Sequence, residues 1–321
     1  MNYRTLGRTN LEVSEIGFGT WGLGGTVEGS VAYGPTDDQE SKDTLRRAYE
    51  LGVTFYDTSD FYGYGHSERL LGEALNDVRD KIIIATKVGL LDATGIQDFS
   101  PRHIRYALES SLERLQTHYI DLYLLHSPPL ELLEQDETIL DTLRTLQKEG
   151  KVRAVGISLR SPADGLSVIS KFGVDVIQVN FNMIDQRARE IGLFDLCQRE
   201  NVGIIARTPL CFGFLTGVYS SDSKFDSTDH RSRWSPQQIE RWANAYKLFA
   251  TTVTKVRSQT HAQIALRFCL SYPTVSTVIP GMLTEAEVEE NVLASQLGPF
   301  SKRERLRMQK IYQENTFFVG G

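Results

Sequence analysis

The sequence predicts an α/β fold, a (β/α)8 TIM barrel formed by one domain over residues 1–321. Eight short apolar runs recur along the chain, and most lead into polar or helical sequence. The runs are continuously apolar instead of alternating, as expected for parallel strands covered on both faces. No linker-like segment separates one half of the chain from the other, so one closed barrel explains the pattern better than two domains.

The predicted strands are rich in β-branched and aromatic residues, which favour extended backbone. Their spacing leaves room for a helix after most of them, which makes parallel pairing the expected arrangement. In chain order they are Ile16–Gly19, Val53–Asp57, Lys81–Lys87, Ile120–His126, Val152–Ser158, Val174–Val179, Val202–Arg207 and Val275–Ile279.

Helices are predicted over Ser67–Leu75 and around Thr138–Glu149 from apolar residues at helical spacing. Other helix starts carry a hydroxyl residue before proline, because the hydroxyl caps the first turn and proline tolerates its first position. These starts are Ser100-Pro101, Ser161-Pro162 and Ser235-Pro236. Two pairs, Thr284 with Glu287 and Ser301 with Glu304, have the spacing of capping boxes.

Two features lie outside the regular repeat. The turn at Arg8-Thr9-Asn10, followed by an apolar run, predicts a short N-terminal hairpin that closes the bottom of the barrel. The connection between the seventh and eighth strands is far longer than one helix needs, and its first part, from Cys211 to about Ser235, is predicted to be a large functional loop.

Composition excludes several classes of protein. The 35 basic and 41 acidic side chains give a net charge of −6, which makes nucleic acid an improbable partner. No apolar run reaches the roughly 18 to 20 residues of a membrane span, and the N-terminus lacks a signal region, so we expect a cytoplasmic protein without membrane contact. Cys197, Cys211 and Cys269 form no close pair and are expected to be buried, reduced thiols.

Two motif types have simpler explanations than binding sites. Gly17, Gly19 and Gly22 satisfy GxGxxG, but the sequence that follows is glycine-rich and aperiodic, whereas a dinucleotide fingerprint opens directly into a helix. We therefore interpret them as the loop after the first strand. The six histidines show no HExxH or similar spacing, so we predict no metal site.

Four ionisable residues stand at or just after the ends of consecutive strands. Asp57 ends the second strand, Tyr62 follows five residues later, Lys87 ends the third and His126 ends the fourth. Each alone fits an ordinary structural role, as a cap, a packed ring, a solvated lysine or a core histidine. Because barrel active sites form where the carboxyl ends of strands meet, the four together predict one catalytic site.

These residues lie within segments that together resemble the aldo-keto reductase superfamily from about Tyr3 to Asn291. The segments that carry the resemblance are GFGTWGLGG, FYDTSDFYGYGHSE, IIATKVG, DLYLLHSP, KVRAVGIS, TPLCFGFLTG and TVIPGMLTEAEVEEN. The resemblance implies hydride transfer from a reduced nicotinamide to an aldehyde, ketone or sugar carbonyl. The reaction is reversible, so the same site would also oxidise an alcohol. The resemblance thus implies an NAD(P)-dependent oxidoreductase with a small-molecule carbonyl or alcohol substrate.

The resemblance also assigns the catalytic roles. Tyr62 would be the general acid that protonates the carbonyl oxygen. Lys87 would lower the pKa of that phenol through its positive charge, and Asp57 would keep the lysine charged. His126 would hold the carbonyl oxygen by a hydrogen bond and stabilise its developing charge.

For the nicotinamide, the resemblance implies contacts from Ser158 and Gln178 to the carboxamide. Two positions depart from the family pattern. Leu159 stands where an asparagine is usual, so one amide contact is lost. Arg207 stands where many relatives place an aromatic ring that stacks on the nicotinamide, and a guanidinium there would stack through its plane or reach a phosphate.

The rest of the nucleotide site is implied by two later segments. The stretch from Leu210 to Gly217 resembles a loop that closes over the pyrophosphate, where glycines allow close backbone approach. Glu290 and Asn291 correspond to the family's adenine-contacting pair.

The segment after the eighth strand bears on the choice between NADP and NAD. Gly281 and Thr284 stand near positions that often carry basic residues in phosphate-binding relatives, and Glu287 is acidic at another. A carboxylate there would repel a 2′-phosphate and suit a ribose hydroxyl. The resemblance favours NADP, and NAD remains the alternative.

Aromatic residues on the rim loops are candidates for the substrate wall, since aromatic faces suit apolar or sugar-like surfaces. They are Trp21, Tyr64 and Trp234, with Phe317-Phe318 if the C-terminal tail folds back. Two other functions compete with carbonyl reduction. One is a barrel lyase in which Lys87 forms a Schiff base, and the other is a regulatory module that binds the nucleotide as a redox sensor.

Overall fold

The protein is an eight-stranded parallel barrel surrounded by helices, as the sequence predicts. The computed structural model describes residues 1–27, 30–252 and 259–320. In chain order, the barrel strands within these ranges are β3 (Phe18–Gly19), β4 (Phe55–Asp57), β5 (Ile83–Val88), β6 (Ile120–His126), β7 (Val152–Ser158), β8 (Val176–Asn180), β9 (Gly203–Arg207) and β10 (Val275–Ile279). Each strand pairs with the next in parallel, in the order β3 to β10.

The barrel closes between its first and last strands. Gly17 N donates to Val278 O at 2.8 Å and Gly19 N donates to Pro280 O at 2.9 Å. Closure leaves no sheet edge, and because all eight strands are parallel, their carboxyl ends face one rim. That rim is where the candidate site lies.

The N-terminal hairpin closes the opposite end. Strands β1 (Tyr3–Thr5) and β2 (Glu12–Ser14) pair antiparallel. Leu6, Leu11 and Val13 are buried in a cluster with inward-facing barrel residues such as Leu122 and Leu124. The predicted plug therefore removes apolar surface from water at the bottom of the barrel.

The described helices alternate with the strands and cover the outside of the barrel. They are α1 (Asp38–Glu50), α2 (His66–Leu75), α3 (Pro101–Arg114), α4 (Leu130–Gln135), α5 (Thr138–Lys148), α6 (Pro162–Phe172), α7 (Arg187–Glu190), α8 (Leu193–Glu200), α9 (Pro236–Ala250), α10 (His261–Leu270), α11 (Glu285–Gln296) and α12 (Lys302–Glu314). None of them is long and apolar enough to cross a lipid bilayer.

The helix starts predicted from hydroxyl residues are confirmed, with one correction. Ser100, Ser161 and Ser235 each cap the helix that follows, and Ser301 forms a full capping box with Glu304. Thr284 caps α11, but the Glu287 carboxylate accepts from Leu283 N at 2.6 Å instead of from the N-cap amide. The sequence pattern did not distinguish these two neighbouring backbone donors.

Three sequence details are resolved by the fold. The GxGxxG glycines lie around β3 and the short 3-10 turn Gly22–Gly24, and the next α-helix begins only at Asp38, so the dinucleotide-fingerprint interpretation was correctly rejected. The three cysteines are buried and form no disulfide, as predicted. The long connection after β9 contains 3-10 turns at Phe214–Thr216 and His230–Arg233 before α9 begins.

Candidate active site

Three neighbouring strands bring the predicted ionisable residues to one rim. Asp57 ends β4, Lys87 lies near the end of β5 and His126 ends β6, and these strands pair in that order. Tyr62 reaches the same point from the loop after β4. Parallel pairing thus converts positions far apart in sequence into one cluster.

The loop after β4 holds Tyr62 by a tight turn. Tyr62 N donates to Ser59 O at 3.1 Å. Gly63 follows with φ of +58°, and a Cβ at this position would overlap the carbonyl oxygen of Gly24. Glycine is required there because both the backbone angle and the close approach exclude a side chain. The turn therefore fixes the direction in which the Tyr62 side chain leaves the backbone.

Lys87 is the centre of the cluster. Its ammonium donates to Asp57 Oδ1 at 2.6 Å, to Thr58 O at 2.8 Å and to the Tyr62 hydroxyl oxygen at 3.0 Å. These three bonds use all three ammonium hydrogens. Because the Tyr62 oxygen accepts from Lys87, its own proton remains available to a group in the cavity.

Lys87 is held in the charged form. Burial would lower the pKa of the ammonium, but the Asp57 carboxylate and Tyr62 outweigh it and raise the pKa above its ordinary value. Burial raises the pKa of Asp57, opposed by Lys87 and by the hydrogen bond from Gln178. A charged lysine has no free electron pair, which argues against the Schiff-base alternative.

Lys87 lowers the pKa of Tyr62, as expected, but the net shift of that pKa is upward. Burial is the largest influence and raises the pKa above the ordinary value, while the charges of Lys87 and Arg207 oppose it. The cations reduce the effect of burial without reversing it. Tyr62 is therefore a neutral phenol at physiological pH and carries a proton to donate.

His126 is a neutral imidazole. Burial, with the charges of Lys87 and Arg207, lowers its pKa well below the usual value. Its ring lies edge-on to the Tyr62 ring with centroids 5.9 Å apart. Its Nδ1 lies 3.1 Å from Ser59 Oγ, a partner that the sequence analysis did not identify.

Ser158 and Gln178 continue the cluster behind Asp57. The Gln178 amide nitrogen donates to Asp57 Oδ2 at 2.6 Å, and the Ser158 hydroxyl donates to Gln178 Oε1 at 3.2 Å. Gln178 lines the cavity and Ser158 does not, although both side chains are buried. The glutamine therefore connects the cavity directly to the carboxylate that faces Lys87.

A cavity of about 500 Å³ opens above the cluster and extends to the amino end of α11. Asp57, Tyr62 and His126 line it at the barrel end. Most of the residues implied for nucleotide binding also line it, namely Gln178, Arg207, Leu210, Gly281, Glu287, Glu290 and Asn291. One continuous space therefore joins the ionisable cluster to the implied nucleotide positions.

Of the other predicted contact residues, only some line this cavity. Gly217 lies between the lining residues Thr216 and Val218, and the Thr284 hydroxyl caps α11. Of the aromatic candidates, Trp21 lines the cavity, Tyr64 is 40% exposed outside it, and Trp234 packs against other aromatic rings behind it.

The C-terminal tail folds back onto the long connection. Gln238 donates its amide nitrogen to Phe317 O at 2.8 Å, and the Phe317 ring packs on Phe249. Phe318 contacts Trp242 edge-on with ring centroids 5.9 Å apart. Neither phenylalanine lines the cavity, so the tail supports α9 instead of the substrate wall.

Arg207 places a second cation in the site. Its Nη2 donates to Leu159 O at 2.8 Å, and its buried Nε has no hydrogen-bond partner among the described residues. The charge acts on Asp57, Tyr62 and His126. The departure at this position therefore makes the cavity more positive than an aromatic residue would.

One wall of the cavity was missed by the sequence analysis. The Arg231 guanidinium pairs with Asp229 at 2.5 Å and lies over the Tyr33 ring at 4.6 Å. His230 N donates to Ala32 O at 2.8 Å, so the long loop after β9 contacts the loop after β3 across the cavity. The length of the loop was the only sequence signal, because pairing between such distant segments has no local pattern.

The comparisons with known proteins agree with the barrel fold described above. The sequence model described as the aldo/keto reductase family matches residues 15–313. The chain is 32% identical to L-galactose dehydrogenase of Arabidopsis thaliana, over 91% of this chain and 87% of that protein. It is 29% identical to the NADH-specific methylglyoxal reductase of Escherichia coli (strain K12), over 90% of this chain and 92% of that protein.

A solved structure is similar over nearly the whole chain. Aldo-keto reductase AKR11C1 from Bacillus halodurans, in its holo form, superposes with a TM-score of 0.78 at 30% identity. The superposition covers 97% of this chain and 96% of that one. The similarity therefore includes both the barrel and the long connections on its rim.

Proposed function

This chain belongs to the aldo/keto reductase family, and on that premise we propose that it reduces a small aldehyde, ketone or sugar carbonyl with a nicotinamide nucleotide, Tyr62 being the general acid. The observation that carries the proposal is the hydrogen bond of 3.0 Å from the Lys87 ammonium to the Tyr62 oxygen. A phenol that accepts from a buried cation keeps its proton for the cavity and gains a counter-charge when that proton leaves.

Nicotinamide chemistry fits the residues that line the cavity. When bound, the reduced nucleotide supplies the hydride that the protein side chains cannot supply. Gln178 and Arg207 line the cavity with Tyr62, where the nicotinamide would bind. Glu290 and Asn291 line the part of the cavity at α11, where the adenosine would bind. The cavity thus offers polar groups at both ends of an elongated ligand.

The side chains then have separate tasks. Tyr62 transfers its proton to the carbonyl oxygen as the carbon accepts a hydride, which leaves an alcohol, the oxidised nucleotide and a Tyr62 phenolate that regains a proton from solvent before the next turnover. Lys87 stabilises that phenolate across the 3.0 Å contact, and Asp57 balances the lysine charge. His126, with its neutral ring beside Tyr62, binds the same oxygen and orients it.

The substrate wall supports a small carbonyl compound. Trp21 and Phe61 line the cavity, and the Phe61 ring lies edge-on to His126 with centroids 6.3 Å apart. Their rings suit the apolar face of a sugar or a short aliphatic carbonyl compound. The names of two relatives, methylglyoxal reductase and L-galactose dehydrogenase, point to the same class of compound.

Steady-state oxidation of NADPH and NADH tests the function. We expect methylglyoxal, short aldehydes and aldose sugars to stimulate loss of nucleotide absorbance, with one alcohol formed for each nucleotide oxidised. Nucleotide binding measured by fluorescence, together with no turnover of any carbonyl compound, would instead support the regulatory alternative.

Two nucleotides remain candidates for distinct reasons. The family resemblance favours NADP. Glu287 and Glu290 line the adenosine end of the cavity, and their carboxylates favour NAD, because each would repel a 2′-phosphate and each accepts from a ribose hydroxyl.

We expect Glu287→Gln to raise the affinity for NADPH relative to NADH by about tenfold, the effect of removing one close like charge from the phosphate. Glutamine keeps an acceptor for Leu283 N, so the local turn is preserved. Fluorescence titration with both reduced nucleotides measures the ratio. The control, Glu285→Gln, removes a carboxylate on the same helix that does not line the cavity. A ratio that shifts equally in both variants would place the ribose elsewhere.

A further inference from the structure

His126 can act on a substrate oxygen in two opposite ways. A neutral imidazole carries one hydrogen, either on Nδ1 or on Nε2. Its Nδ1 faces Ser59, which leaves Nε2 as the nitrogen for the cavity. If Nε2 carries the hydrogen, the ring donates to a carbonyl oxygen. If it does not, the ring accepts from an alcohol.

Ser59 connects this choice to a carboxylate. Its Oγ lies 3.1 Å from His126 Nδ1 and 3.1 Å from Asp60 Oδ1, and it accepts from Phe61 N at 3.2 Å. Ser59 is fully buried, so water does not replace these partners. A hydroxyl has a single hydrogen, which points either at Asp60 or at His126, but not at both.

The protonation state of Asp60 decides which way that hydrogen points. An ionised Asp60 only accepts, so Ser59 donates to it and must accept from Nδ1–H, and Nε2 is then an acceptor. An Asp60 protonated on Oδ1, the oxygen that faces Ser59, donates to Ser59, which donates to Nδ1, and the hydrogen of the ring then lies on Nε2.

We infer that Ser59 and Asp60 are positioning residues that set the tautomer of His126, so that the site donates to a carbonyl when Asp60 is protonated and accepts from an alcohol when Asp60 is ionised. The consequence for substrate binding rests on the proposed function. The link between the carboxylate and the ring rests on the three contacts alone.

The surroundings of Asp60 raise the pKa of its carboxyl into the neutral range. The pKa of its carboxyl is raised to about 7, because burial and the charge of Glu68 on α2 raise it more than the Ser59 hydroxyl, Arg114 on α3 and the Phe61 amide lower it. Glu68 is itself held by Arg114 at 2.7 Å. Tyr123 on β6 is the other titratable group on which Asp60 acts. His126 stays neutral over the same range, so a change of tautomer is not obscured by a change of charge.

The tautomer is observable without catalysis. In protein labelled with ¹⁵N-histidine, ring nitrogen shifts distinguish the two neutral forms, and the His126 signals are those lost in His126→Gln. We expect the Nε2–H form at about pH 5.5 and the Nδ1–H form at about pH 8.5, on either side of the Asp60 pKa. Asp60→Asn and Ser59→Ala should each abolish the change, and Asp80→Asn, which removes an exposed carboxylate, should keep it.

Substrate affinity provides the second measurement. The KM for the carbonyl substrate should rise about fivefold from about pH 6 to about pH 8, as expected for loss of one neutral hydrogen bond, and this rise should vanish in Asp60→Asn. A single tautomer at both pH values, or a change that persists in both variants, would overturn the inference. A tautomer change without carbonyl reduction would reject the proposed function alone.

Discussion

Tyr62→Phe is expected to lower the turnover of carbonyl reduction by at least about a hundredfold and to leave nucleotide affinity nearly unchanged. The substitution removes only the hydroxyl, which is the third acceptor of the Lys87 ammonium and the proposed proton donor. The ring keeps its edge-on packing with His126. Single-turnover kinetics measures the chemical step, and fluorescence titration measures nucleotide binding.

The matched control removes a tyrosine hydroxyl from the protein surface. Tyr106 lies on α3 and is 70% exposed, so the Tyr106→Phe protein should reduce carbonyl compounds at the wild-type rate. A Tyr62→Phe protein with wild-type turnover would reject the assignment of the acid. A parallel loss of nucleotide affinity would indicate that the hydroxyl binds the nucleotide as well.

Lys87→Met is expected to lower turnover to a similar extent, because the phenolate left after proton transfer would lose the ammonium that hydrogen-bonds to it at 3.0 Å. The charge of Lys87 lowers the pKa of Tyr62, so its removal raises that pKa further. The alkaline decline in the rate of reduction, which follows loss of the Tyr62 proton, should therefore move to higher pH. The pH dependence of kcat measures this shift, and an unchanged profile would contradict the role.

The same substitution leaves the Asp57 carboxylate buried without its cation, which destabilises a protein strongly. The double variant Asp57→Asn with Lys87→Met removes both charges and separates a folding defect from a catalytic one. We expect it to fold and to remain slow. Lys81→Met, at an exposed position before β5, is the control for loss of a lysine and should not affect the pH profile.

Much of the fold follows from local sequence patterns. The strands Ile120–His126, Val152–Ser158 and Val275–Ile279 have the predicted bounds, because continuous β-branched and aliphatic runs between polar segments mark both ends. Strand bounds were less accurate where the apolar run continued into a loop. The predicted Ile16–Gly19 strand is reduced to Phe18–Gly19, and the predicted Val53–Asp57 strand begins at Phe55.

The position of the candidate site followed from the same patterns. Asp57, Lys87 and His126 end neighbouring strands, so their convergence needs only the topology of the barrel. The hydrogen-bond partners of these residues did not follow from the sequence patterns. Ser59 was not predicted to contact His126, and Gln178 was not predicted to bond Asp57, from which it is separated by 121 residues.

The chain alone determined the barrel, its bottom plug and the rim at which the four ionisable groups meet, because hydrophobic periodicity and strand ends are properties of short segments. Only the tertiary structure decided that burial outweighs Lys87 in the pKa of Tyr62, that Arg231 builds a wall between distant loops, and that Ser59 joins Asp60 to His126. Depth of burial and the direction of a hydrogen bond depend on atoms from many segments at once, and no single segment encodes them.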